Sequence, residues 1–153
     1  MGKICGIVGS GTEGFGEATV LWQALDTLLL EGVDEFAVAM DRWAGLVAAR
    51  TVLEIKRTHP ALRLTCLLLW EEQAADWPEG ARADWFDAFA ASDREVMLER
   101  HRSGETLVKR DRWLAEHCDC LLVLHREGPG TAWSAEELAR RRGIPVRRAA
   151  LDG

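Results

Sequence analysis

The chain of 153 residues contains no tyrosine, only four prolines and four cysteines, no excess of positive charge and no apolar run of membrane-spanning length. Each shortage excludes something. With 19 basic against 25 acidic residues the net charge is −6, which argues against a strongly electrostatic nucleic-acid binder, because duplex affinity is built mostly from phosphate neutralisation by Lys and Arg. A spanning helix needs about 20 apolar residues in succession, so no membrane partner is expected. The apolar start is broken at once by Gly2, Lys3, Gly6, Gly9 and Gly11, so no secretory leader is expected and the cytoplasm is the expected location. The cysteines, Cys5, Cys66, Cys118 and Cys120, fall in or beside the most apolar segments, where a thiol behaves as a small buried hydrophobe. Cys118 and Cys120 are the one close pair, with His117 and His125 nearby, but strand alternation separates neighbours onto opposite faces. No metal site is expected, and nothing in the sequence calls for a cofactor.

What is present is ordinary globular composition, 48% apolar and 29% charged, at a length that suits one domain over residues 1–153. Short apolar runs alternate with segments of helical period, which is the signature of βα units around a parallel sheet. The expected class is α/β, a Rossmann-like three-layer sandwich with a mainly parallel sheet. Strands are expected at 4–8, 36–40, 64–70, 94–98, 120–125 and 145–149, and helices at 17–31, 43–58, 83–91, 106–117 and 134–142. Leu64 to Trp70 is the most apolar run and is expected at the centre of the sheet. Trp22 and Trp113 are expected in the core, and Trp77 and Trp85 beside a loop able to act as a lid.

In an open parallel sheet ligands bind beyond the carboxyl ends of the strands, so the residues that follow each strand form the candidate site. After the first strand comes Gly9-Ser10-Gly11-Thr12-Glu13-Gly14, a G-x-G-x-x-G turn leading into a helix, where free N–H groups and the helix dipole favour an anion. Asp34 has the spacing of a ribose-binding acid but precedes the second strand, whereas Asp41 ends it. A standard NAD site is therefore not expected, and a phosphate or ribose contact is. After the fifth strand, Gly128, Gly130 and Thr131 offer a second turn for phosphate, and Ser134 with Glu137 fits a capping box. Trp43 and Trp70 stand where an indole can stack on a base. In the stripe Leu107, Arg110, Leu114 a charge interrupts an apolar face. Arg110 is thus expected either to pair with Asp41 or Asp111 or to meet an anionic ligand.

Taken together, the glycine turn, Met40-Asp41-Arg42-Trp43-Ala44-Gly45, the Arg110-Asp111 pair, and Asp119 to Leu124 followed by Gly130-Thr131 resemble the YpsA-like branch of the SLOG superfamily over nearly the whole chain. That superfamily also includes the LOG phosphoribohydrolases and the DprA proteins. The resemblance implies a Rossmann-like domain that binds or senses a nucleotide or a nucleotide-derived phosphorylated molecule, and a homo-oligomer. A second function is consistent with it, an N-glycosidase of phosphoribohydrolase or deoxyribosyltransferase type, in which Arg110 orients phosphate and Glu127 or Glu136 acts at the sugar carbon.

Overall fold

Eleven elements follow one another in the computed structural model, which describes residues 2–9, 19–41, 43–125 and 132–150. They are Lys3–Gly9 (β1), Thr19–Leu30 (α1), Val33–Ala39 (β2), Ala44–Lys56 (α2), Arg63–Leu68 (β3), Glu79–Ala91 (α3), Arg94–Met97 (β4), Thr106–His117 (α4), Cys120–His125 (β5), Trp133–Arg141 (α5) and Val146–Ala150 (β6). The strands pair in the order β4-β3-β2-β1-β5-β6, and every pairing is parallel. Helices follow the periods that predict them. Leu21, Leu25 and Leu28 form the buried stripe of α1, and Gly32 stops it in the left-handed region at φ 99°. Ala44, Ala48, Val52 and Ile55 form that of α2.

The chain walks from β1 to β4 towards one edge, then returns past β1 to lay down β5 and β6 on the other side. Because parallel crossovers are right-handed, the reversal places the helices of the two walks on opposite faces. The two cores show this. One gathers Leu21, Val52, Trp85 and Phe89 from α1 to α3 against Ile7, Phe36, Val38 and Leu122. The other gathers Leu114, Ala135 and Ala139 from α4 and α5 against Val8, Ala37, Ala39 and Val123. Strands covered on both faces read as continuous apolar runs, as β5 does from Cys120 to Leu124 and β2 from Phe36 to Ala39.

Several expectations are corrected. The middle of the sheet is β1 and β2, whereas β3 lies next to the edge strand β4; hydrophobicity reports burial and not rank in the sheet. Trp22 is 37% exposed, on the outer side of α1. Trp77 and Trp85 are buried in edge-to-face contact at 6.0 Å and anchor α3 to the core. Helix α3 starts at Glu79, earlier than expected, because Pro78 takes the N-cap, where its missing N–H removes no helical bond. Ser134 is not the N-cap: α5 begins at Trp133 with Ala132 before it. Its first turn is held instead by Arg148 of β6, which pairs with Glu136 and lies 5.2 Å over the Trp133 ring. The four cysteines are free and buried, as expected.

Two glycines let α2 close onto the strand ends. A Cβ on Gly9 would sit 2.6 Å from the Ala44 Cβ, and one on Gly45 would collide with the Ala39 carbonyl oxygen and lie 2.7 Å from the Met40 Cα. The Gly45 neighbours are backbone and cannot rotate away. Gly45→Ala is therefore expected to cost about 1–3 kcal/mol, the usual range for overpacking. Urea unfolding should show this as a lower midpoint at an unchanged slope.

Candidate functional site

The direction of the walk reverses between β1 and β5, and the crevice of an open α/β sheet opens at the carboxyl ends of strands at such a reversal. Gly9 at the end of β1 pairs with Leu124 of β5 at this place. Of the residues expected to hold phosphate there, Ser10, Gly11, Gly128, Gly130 and Thr131, together with Glu127, lie outside the described residues.

The charged residues of the expected site do converge. Arg110 is fully buried on α4, the largest side chain with no exposure. Its Nε and Nη2 each lie 2.9 Å from the Asp111 Oδ1, and its Nη1 donates to both oxygens of Asp41 at 3.4 Å. One guanidinium thus joins the end of β2 to α4 and faces two carboxylates that are themselves nearly buried. Burial pushes the Asp41 carboxyl up to about 6 and Asp111 adds to the rise, while Arg110 pulls the other way. Pairing, one of the two roles expected for Arg110, is the observed one.

Asp41 also borders a cavity of about 350 Å³ beyond the ends of β2 and β3, walled by Leu69, Trp70, Trp77 and Leu107 and closed by Arg102 and Thr106. Its floor is tied by Gln73, whose amide donates to the Met40 carbonyl at 2.6 Å and accepts the Leu69 N–H at 3.0 Å. Trp70 is half-buried at the rim, with the Arg102 guanidinium 5.2 Å from its ring centroid. Trp43 stands at the junction of β2 and α2 at φ 65° and ψ −70°, a left-handed backbone that costs a bulky residue about 1–3 kcal/mol. Asp41 N–H to Ala39 and Gly45 N–H to Asp41 bonds hold this turn, and α2 hangs from it. The turn keeps Trp43 beside the core rather than on the cavity wall with Trp70.

Glu136 is elsewhere, on α5, where Arg148 donates to it at 2.7 Å and Arg140 at 3.2 Å. These bonds hold its carboxyl below the usual range. A larger hollow of about 650 Å³ lies at the other end of β2, lined by Leu29, Leu30, Pro60 and Leu62, away from the strand ends that carry the buried charges. Gln73 and Arg102 sit in segments without periodicity, and Thr106 opens α4 with nothing in the sequence to mark it as a cavity residue. Asp34, read as preceding its strand, is its second residue and accepts the Lys3 N–H at 2.9 Å. Among the described residues no helix is long and apolar enough to cross a membrane, and no group of three or more His, Cys, Asp or Glu is placed to hold a metal.

A six-stranded parallel sheet between two helical layers, with buried ion pairs gathered at the carboxyl ends of its strands, defines a Rossmann-like α/β protein. The YpsA model, described as the YspA SLOG family, matches residues 18–141, and the chain belongs to that family. It is also similar to the UPF0398 protein BH1768 of Halalkalibacterium halodurans, 31% identical over 123 residues. The match covers 78% of this chain but 65% of that relative.

Two outcomes follow from the buried triad. Arg110→Met leaves two carboxylates without their cation and is expected to cost about 3–5 kcal/mol by chemical denaturation, whereas surface arginines such as Arg141 cost little. The second concerns pH. Asp41 holds its proton at a higher pH folded than unfolded, so its contribution to stability grows as pH falls from about 6 towards 4 and is absent above that window. From the two pKa values the gain is about 3 kcal/mol. Asp41→Asn should remove that rise, which is read as the wild-type minus variant stability between pH 7 and pH 4.

Proposed function

We propose that the chain binds or senses a nucleotide, or a phosphorylated small molecule derived from one, in the crevice at the carboxyl ends of its strands. The observation that carries this reading is the convergence there of a buried Asp41–Arg110–Asp111 cluster and a cavity bordered by both Asp41 and Trp70. The cavity volume falls in the range of about 300–1,000 Å³ that small-molecule sites occupy. In this reading Gly9, Ser10 and Gly11, with Gly128, Gly130 and Thr131 on the opposite loop, hold phosphate at the reversal point. Asp41 takes the ribose hydroxyls, Trp70 takes the base, and Arg110 sets the position and charge of Asp41. Membership of a SLOG family supports a nucleotide-related role. The glycosidase alternative draws no support from Glu136, whose carboxylate is taken up by two arginines.

Thermal shift against nucleoside mono- and diphosphates, sugar phosphates and free bases tests the reading. A ligand at about 100 times its dissociation constant should add roughly 2.7 kcal/mol, and it should be recovered intact by chromatography. Stabilisation by none of the phosphorylated compounds would sink the proposal, and release of free base would replace binding with glycoside cleavage. Light scattering on the same samples reads the homo-oligomer that the proposal includes.

A further inference from the structure

Among the described residues four cations stand around the ends of β2, β3 and β4, and three have carboxylate partners. Arg100 pairs with Glu71 at 3.5 Å, Lys109 with Glu99 at 3.1 Å, and Arg110 with Asp41 and Asp111. Arg102 makes no ion pair among the described residues; its guanidinium lies instead over the Trp70 ring. The stacked pair does not fill core space. Trp70 and Arg102 both line the 350 Å³ cavity that reaches Asp41, and both line a second hollow of about 420 Å³ beside it, so they form a partition between two open spaces.

Such a pair has a specific chemistry. A guanidinium is planar and weakly hydrated, so it stacks on flat π surfaces, and an indole offers the widest of these. A heterocyclic base has such a surface and a sugar phosphate has none. Beside Trp70 the cavity offers an apolar wall of Leu69, Trp77 and Leu107, which suits the face of a base, while Asp41, Gln73, Ser103 and Thr106 supply polar groups for its edge. Sheet order agrees, since the reversal point at β1 and β5, Asp41 after β2 and Trp70 after β3 follow one another along the sheet.

We infer that Trp70 and Arg102 are a clamp for the base, and hence that the ligand is a nucleoside phosphate and not a bare sugar phosphate. This rests on the reading that the crevice takes a phosphorylated ligand. The long, exposed Arg102 side chain swings aside, the base settles on the indole, and the guanidinium covers the base from the solvent side. Arg102 becomes a specificity-determining residue that no periodicity or motif marks.

Calorimetric titration with AMP, GMP and ribose 5-phosphate tests the clamp on the wild type and on Trp70→Leu, Arg102→Ala and Arg102→Lys. Unchanged circular dichroism and melting midpoints confirm that each variant folds, as the rim position of both residues leads one to expect. The wild type should prefer the nucleotides, and Trp70→Leu and Arg102→Ala should weaken them roughly tenfold, the scale of one base–aromatic stack, with ribose 5-phosphate changed less than about twofold. Arg102→Lys keeps the charge and loses the plane, so it should resemble Arg102→Ala. Full rescue by lysine, or equal loss for ribose 5-phosphate, would show a point charge for phosphate and overturn the clamp. Ribose 5-phosphate binding the wild type as tightly as AMP and GMP would also overturn it, with the phosphate reading left standing. No binding of any of the three to the wild type would remove that reading and the clamp together.

Discussion

The ion pairs of Arg110 set conditions that much of the molecule has to meet. A guanidinium with no exposure is tolerable only where carboxylates are held against it, and the two carboxylates it meets among the described residues come from different parts of the chain, Asp111 from its own helix and Asp41 from the end of β2. To keep Asp41 in reach, the turn after β2 must be tight, and there the structure accepts Trp43 in a left-handed conformation and requires a glycine at position 45. To keep Arg110 in reach, α4 must lie close over β1, where Leu114 and Cys118 crowd Gly6 and leave no room for a side chain. Among the described residues a single cation lies between the two acids. Burial and the neighbouring Asp111 carboxylate together raise the Asp41 carboxyl.

The topology explains why these groups meet where they do. A sheet built in one direction and then in the other brings the ends of β1 and β5 together without a helix between them, and α1 and α5, the helices that follow those strands, pack on opposite faces. Asp41 and the cavity stand one and two strands away from that opening. Asp41 after β2 and Trp70 after β3 thus lie in line with that opening, a carboxylate and then an indole.

Much of this was legible in the sequence, for identifiable reasons. Thr106–His117 and Cys120–His125 could be read to the residue because strong periodicity changes abruptly between them. Arg110 announced itself as a charge within an apolar stripe. Its pairing with Asp41 could only be offered among alternatives, because the two residues are 69 positions apart and no local pattern measures such a distance. The rank of β3 was misjudged because both an inner and a near-edge strand are covered on two faces. Trp22 was misassigned because it neighbours the stripe of α1 without belonging to it, and Gln73, Arg102 and Thr106 were missed because their roles depend on tertiary neighbours alone.

The crossover through α4 has a consequence for how the molecule comes into being on the ribosome. When residues up to the end of β4 have emerged, one face of the sheet already has its three helices, while Ala37, Ala39 and Leu67 on the other face have no cover. At that moment Asp41 also lacks Arg110. The nascent chain therefore shows a bare apolar face and an unmatched acid together, the combination that invites chaperones and association between unfinished copies. Both are closed by one segment, since α4 brings Arg110 and Leu114 at once. Competence of the crevice is in this sense a proofreading mark: it exists only in chains whose last third has been made and docked.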